Sequence, residues 1–178
     1  QTTEGNFNTA VGYGTLQNTT SGGNNTAFGY QALNSNTSGN GNSSFGTGSL
    51  YSITTGSNNV AIGNNAARSL TDQNSSIAIG AYSMQNATAG HNIAIGTWSL
   101  QNSTSGDYNI AIGNKALLFT SNDTSGTVAI GYEAGRMSSA TNCLYLGKES
   151  GKNNSISNYL AIGNNETHPI ISGIMGPE

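Results

Sequence analysis

The sequence predicts an all-β fold, a parallel β-roll or β-solenoid of about ten coils of 16 to 18 residues, and three observations point to it. A five-residue stretch, best seen as Asn59-Val60-Ala61-Ile62-Gly63, recurs with small changes. Its glycines stand at Gly12, Gly29, Gly46, Gly63, Gly80, Gly96, Gly113, Gly131, Gly147 and Gly163, with spacings of 17, 17, 17, 17, 16, 17, 18, 16 and 16. Such a period marks a repeat architecture, in which each unit buries its apolar face against the next. The three residues before each glycine alternate large, small, large, the period-two pattern of a strand.

Composition agrees. Only 34% of the 178 residues are hydrophobic and 7% charged, with 25 Gly and 26 Asn, so a conventional core is not available. Disorder usually joins low hydrophobicity to high net charge. Here the net charge is −3 and the apolar residues are periodic. Five Lys plus Arg give no electrostatic footprint for nucleic acid. No run of 18 apolar residues is present, so no membrane insertion is expected of this segment. The start, Gln1-Thr2-Thr3-Glu4, lacks a basic and apolar leader, so an export signal is expected to be absent or already removed.

Taken from the strand outward, the residue before the motif glycine is always large and apolar: Val11, Phe28, Phe45, Ile62, Ile79, Ile95, Ile112, Ile130, Leu146 and Ile162. Two before it stands Ala in eight of ten repeats, with Ser44 and Tyr145 as exceptions. Three before it the residues are Thr9, Thr26, Ser43, Val60, Ile77, Ile93, Ile110, Val128, Leu144 and Leu160. The Ala column implies a thin interior. The pairs Val60 and Ile62, Ile77 and Ile79, Ile93 and Ile95, Ile110 and Ile112, and Val128 and Ile130 then serve as core or face a partner chain. A flat coil cannot cover both faces of its strand, and an apolar stripe of this length in water is an association surface. Each Val or Ile buried there contributes on the order of 1.5 to 3 kcal/mol. Self-association about an axis parallel to the rod is the expected solution.

Beyond the glycine, a small residue at the third position, a frequent Leu at the fourth and a Thr or Ser column from Thr20 through Ser121 to Ser155 at the eighth predict a corner, a second short strand and a polar turn. Stacked at ~4.8 Å, ten coils make a rod of roughly 45 to 50 Å, in which Asn and Thr columns become hydrogen-bonding ladders. Residues 1–163 form this repetitive unit, and 164–178 read as a C-terminal cap or transition segment.

The runs Asn59-Val60-Ala61-Ile62-Gly63, Asn92-Ile93-Ala94-Ile95-Gly96 and Asn109-Ile110-Ala111-Ile112-Gly113 resemble head repeats of trimeric autotransporter adhesins (YadA-like). The variants Asn8-Thr9-Ala10-Val11-Gly12 and Asn25-Thr26-Ala27-Phe28-Gly29 resemble repeats of phage tail fibres and related bacterial surface fibres. The resemblance covers about Asn6 to Gly163. It implies a left-handed β-roll wound as a homotrimer, extracellular on a virion tail or bacterial surface. The implied work is attachment to a glycan or protein receptor, without cofactor or catalysis. The family repeat is shorter, so the longer polar turn here changes the cross-section. His168-Pro169-Ile170-Ile171-Ser172-Gly173 is similar to segments that precede a C-terminal self-cleaving chaperone domain in such fibres.

Candidate sites follow the columns. Two past the glycine stand Tyr82, Trp98, Lys115, Glu133 and Glu149. Tyr82 and Trp98 form a candidate platform for a sugar ring or a protomer contact. Glu133 and Glu149 are the acids a polysaccharide-degrading tailspike would use; the simpler reading pairs Lys115 with Glu133 and lets Arg136, Lys148 and Lys152 offset Glu149. The Thr column raises an ice-binding solenoid as a further alternative. Cys143 occupies the Asn column as a small residue, far from His91 and His168. Asp72, Asp107 and Asp123 sit singly in turns, without a calcium-binding repeat, and no metal is expected.

Overall fold

The computed structural model describes residues 5–120, 124–164 and 170–176. Ten short parallel strands form one sheet: β1 (Thr9–Val11), β2 (Thr26–Phe28), β3 (Ser43–Phe45), β4 (Val60–Ile62), β5 (Ile77–Ile79), β6 (Ile93–Ile95), β7 (Ile110–Ile112), β8 (Val128–Ile130), β9 (Leu144–Leu146) and β10 (Tyr159–Ile162). Each pairs only with its sequence neighbours, giving a parallel β-solenoid of about nine turns. The register is the one the motif dictates: Ala61 pairs with Ala78, Ala94 with Ala111. An eleventh strand, β11 (Ile171–Ile174), runs antiparallel to β10. Residues 165–169, including His168 and Pro169, lie outside the described residues, as do Gln1 to Glu4, Ser121 and Asp123.

The alternation sorts as a thin coil requires. Ala27, Ala61, Ala78, Ala94, Ala111 and Ala129 are fully buried and join the Leu column of Leu33, Leu50, Met84, Leu100 and Leu117 in one core. The flanking residues point outward and are half-buried or exposed, with Ile62 at 41% and Ile130 at 39%.

Among the described residues each coil carries one strand, and the predicted second strand is a turn. The cause is conformational: positions two and four past the glycine are left-handed, as at Gln31 (φ 55°), Leu33 (φ 49°), Trp98 (φ 58°) and Leu100 (φ 47°). Extended backbone is excluded by two such residues so close together. Pairing between coils nevertheless continues, since Leu33 N–H donates to Ser49 O at 3.1 Å and Ser35 N–H to Tyr51 O at 3.1 Å.

Gly63 shows what the motif glycine does. Its φ is +136°, and a Cβ there would stand 2.6 Å from the carbonyl oxygen of Gly80 in the next coil. Both the backbone angle and the coil-to-coil approach demand glycine.

The Asn ladder is buried and runs chiefly from side chain to backbone. Asn42 N–H donates to Asn25 Oδ1 at 2.9 Å, Asn59 N–H to Asn42 Oδ1 at 3.0 Å, and Ser76 N–H to Asn59 Oδ1 at 2.9 Å. Each amide nitrogen bonds the same next coil, Asn42 Nδ2 donating to Gly56 O and Asn59 Nδ2 to Gln73 O, both at 2.8 Å. Cys143 fills this column near the end, buried, with its N–H donating to Thr127 Oγ1 at 3.3 Å. The Thr column works similarly on the surface: Thr37 Oγ1 donates to Thr54 O at 3.0 Å and Thr54 Oγ1 to Thr71 O at 3.1 Å.

Tyr145 breaks the Ala column yet is fully buried. The room comes from the opposite column, where Leu gives way to Gly135 and Gly151; a Cβ on these would lie 2.8 Å and 2.1 Å from the tyrosine ring. The hydroxyl hydrogen-bonds Ser138 Oγ at 3.0 Å and accepts from Asn154 Nδ2 at 2.7 Å.

Two outcomes are expected in guanidinium unfolding. Gly63→Ala lowers stability by at least about 2 kcal/mol, whereas Gly173→Ala, with nothing within 4 Å of the new methyl, changes it by less than about 0.5 kcal/mol. Tyr145→Ala costs about 3 to 5 kcal/mol, and adding Gly151→Leu, which restores the consensus of both columns in that coil, recovers part of the loss.

Candidate functional site

The sequence column two past the glycine becomes a continuous surface row. Tyr82, Trp98, Lys115, Glu133 and Glu149 follow β5 to β9 in turn, each left-handed with φ between 55° and 60°. Their N–H groups fix the row by donating to the preceding coil: Trp98 to Ala81 O at 3.1 Å, Lys115 to Thr97 O at 3.0 Å, Glu133 to Asn114 O at 3.0 Å. In earlier coils the same position holds Gly14, Gln31, Gly48 and Asn65, of which all but Gln31 are suited to that backbone. Replacing them by Tyr, Trp, Lys and Glu costs on the order of 1 kcal/mol each. Unlike the left-handed leucines, whose burial offsets the cost, these side chains are not apolar core. That contrast marks the row as a functional candidate.

Along it the side chains touch. The rings of Tyr82 and Trp98 stack at 6.3 Å and 15°. Lys115 Nζ lies 5.6 Å from the Trp98 ring centroid and 3.8 Å from Glu133 Oε1. Glu133 also meets Lys152 Nζ at 2.8 Å and Arg136 Nη1 at 3.5 Å. Arg136 and Lys152 therefore pair with Glu133, not with Glu149 as the spacing suggested. Glu149 takes Lys148 at 3.9 Å. The reason is depth: the Glu133 side chain is 6% exposed and collects the nearest cations, while the Glu149 side chain is 29% exposed and solvated. The hydrogen bond from Lys152 holds the Glu133 carboxyl below its ordinary range against the opposing effect of burial, and Glu133 in turn raises Lys152.

Elsewhere, Phe28 stacks on Phe45 at 5.3 Å in place of the stripe's isoleucines, and Tyr13 stacks on Tyr30 at 5.7 Å one position past the glycine. Asp72 and Asp107 are not isolated. With Gln73, Asn74, Thr88 and His91 they line one open hollow of about 320 Å³. It sits where the coil from Gly80 to Gly96 is a residue short in its turn. Asp107 Oδ1 accepts from Gly90 N–H at 3.0 Å, and His91 stacks on Tyr108 at 5.3 Å. Among the described residues no group of three His, Cys, Asp or Glu could hold a metal, and no helix is long and apolar enough to cross a membrane. Cys143 Sγ lies 3.2 Å from Thr141 O and 3.4 Å from Ile156 O.

Fold and site together define a parallel β-solenoid with an apolar outer stripe and a mixed aromatic and cationic row. No protein-family model, curated protein or solved structure matches the chain.

Glu133 gives a pH dependence of known sign. A carboxyl lowered in the folded state contributes stability that is complete above its unfolded value, near 4.3, and is lost as pH falls through the folded one. The thermal midpoint of wild type is expected to exceed that of Glu133→Gln by a constant margin above about pH 5, and the margin shrinks below about pH 4. A margin that does not vary between pH 7 and pH 3 would show that the ion pairs contribute nothing.

Proposed function

We propose that this chain is a non-enzymatic segment of a homotrimeric extracellular fibre, an adhesin or tail-fibre shaft or head, that attaches to a cell-surface glycan. The observation that carries the reading is the outer stripe. Val60, Ile77, Ile93, Ile110 and Val128 with Ile62, Ile79, Ile95, Ile112 and Ile130 line the outer face of five consecutive strands, half-buried or exposed. Exposed aliphatic surface of this length is the kind that monomers avoid. A partner wound about a parallel axis covers it from end to end, which fits a second and third copy of a chain with the same period.

The rival readings find less support. Thr37, Thr54 and Thr88 stand in a single file, with their hydroxyls donating to the next coil's carbonyl. An ice-binding plane wants regular ranks of hydroxyls turned to the solvent. For a tailspike hydrolase one carboxyl must hold a proton near neutral pH. The three cations around Glu133 favour its ionised form.

Sedimentation at micromolar concentration is expected to give three times the 18.2 kDa chain mass. Ile62→Asp with Ile95→Asp should release monomers whose far-ultraviolet circular dichroism is unchanged, because both side chains point away from the coil interior. A wild-type protein that sediments as a monomer would sink the reading.

A further inference from the structure

The chain has five Lys and Arg residues against eight Asp and Glu, yet four of the five, Lys115, Arg136, Lys148 and Lys152, gather at the end of the row. The charges are layered. Glu133 lies beneath with 6% exposure, while Lys115, Arg136 and Lys152 stand above it at 29%, 29% and 23%. Around Glu133 what faces solvent is therefore cationic, with three cations over one carboxylate, while Glu149, 29% exposed beside Lys148, adds one anion at the edge. Counting Glu149, the cluster keeps two positive charges in a chain whose net charge is −3. Arg136 Nε is buried and has no hydrogen-bond partner.

The cations are continuous with the rings. Lys115 touches both the face of Trp98 and the carboxylate of Glu133, and the Arg136 guanidinium lies 5.8 Å from the Phe119 ring centroid. From Tyr82 to Glu149 the row spans four coil steps, roughly 19 Å at the strand spacing. A ligand that uses the whole row needs flat apolar faces at one end and regularly placed anionic groups at the other. Pyranose rings bearing carboxylates meet both demands: their C–H faces stack on Tyr82 and Trp98, and their carboxylates meet Lys115, Arg136 and Lys152. A neutral glycan leaves the cations unused. A nucleic acid wants a positively charged groove along its whole path, whereas the cations here stand at one end of the row only.

We propose that the row Tyr82–Trp98–Lys115, with Arg136 and Lys152, binds an acidic polysaccharide carrying uronate carboxylates. This names the ligand class of the attachment reading and rests on it, but its test does not depend on assembly.

The probe is polygalacturonate, compared with neutral dextran and with double-stranded DNA by affinity electrophoresis and titration calorimetry. Wild type is expected to bind polygalacturonate, not dextran, and to weaken at least tenfold when salt is raised from about 50 mM to about 500 mM. Trp98→Ala and Lys115→Gln, both at the surface, each weaken binding at least tenfold with unchanged circular dichroism. Tyr13→Ala, in the exposed ring pair four coils before Tyr82, leaves it unchanged. Absence of binding to polygalacturonate overturns the proposal, as does binding that survives both row variants or that is matched by DNA. A trimer that fails this test keeps the fibre reading and loses only its ligand; a monomer that passes it loses the fibre reading and keeps the site.

Discussion

Stacking register is the constraint on which the other features depend, and the buried asparagine column enforces it. A narrow coil must reverse direction just before each strand, where its own backbone has no partner within the coil. There an Asn side chain substitutes for a backbone pair: Asn59 Oδ1 takes the N–H of Ser76 while Asn59 Nδ2 serves Gln73 O. A buried donor left alone at such a place costs about 1 to 3 kcal/mol. Because each Asn addresses the next coil, the column links neighbours in a fixed offset. Strand pairing, the close glycine corners and the alanine interior all follow from that offset.

With register fixed, the division between inside and outside becomes strict. The interior admits Ala from the strand and Leu from the left-handed turn, and little else. Everything larger on the strand is forced outward, which creates the aliphatic stripe as a by-product of a thin coil. The turn that forbids a second strand also presents the row from Tyr82 to Glu149 at one backbone angle, so side chains 16 to 18 residues apart become neighbours. The outer aliphatic stripe and the row are thus two outputs of one repeat.

The period, the strand triplet, the alanine interior and the outward Val and Ile were legible in the sequence because each is a property of a column and columns are visible by counting. Tyr82 and Trp98 as neighbours were legible for the same reason. The second strand was misjudged because Leu at the fourth position reads as β-compatible by type, whereas its left-handed angle is imposed by burial, as at Leu33 and Leu100. The partner of Arg136 and Lys152 was misjudged because spacing gives neighbours but not depth, and depth decides which carboxylate collects the cations. The hollow at Asp72 and Asp107 lies beside a coil of 16-residue spacing, but spacing alone does not mark it, since the same spacing recurs from Gly131 to Gly147 and Gly163.

The exchange of bulk between Tyr145 and its two glycines bears on how a chain of near-identical units finds its order. Interchangeable coils can pair out of frame by a whole repeat, and uniform columns offer no penalty against it. The tyrosine layer does. Its ring fits only between two coils that lack a side chain at the leucine position, and Leu117 stands directly beyond Gly135. Were the intervening coil looped out, the ring would meet that leucine instead of a void. One aromatic residue therefore acts as a key that indexes the array, setting the frame from which the identical units on either side are counted.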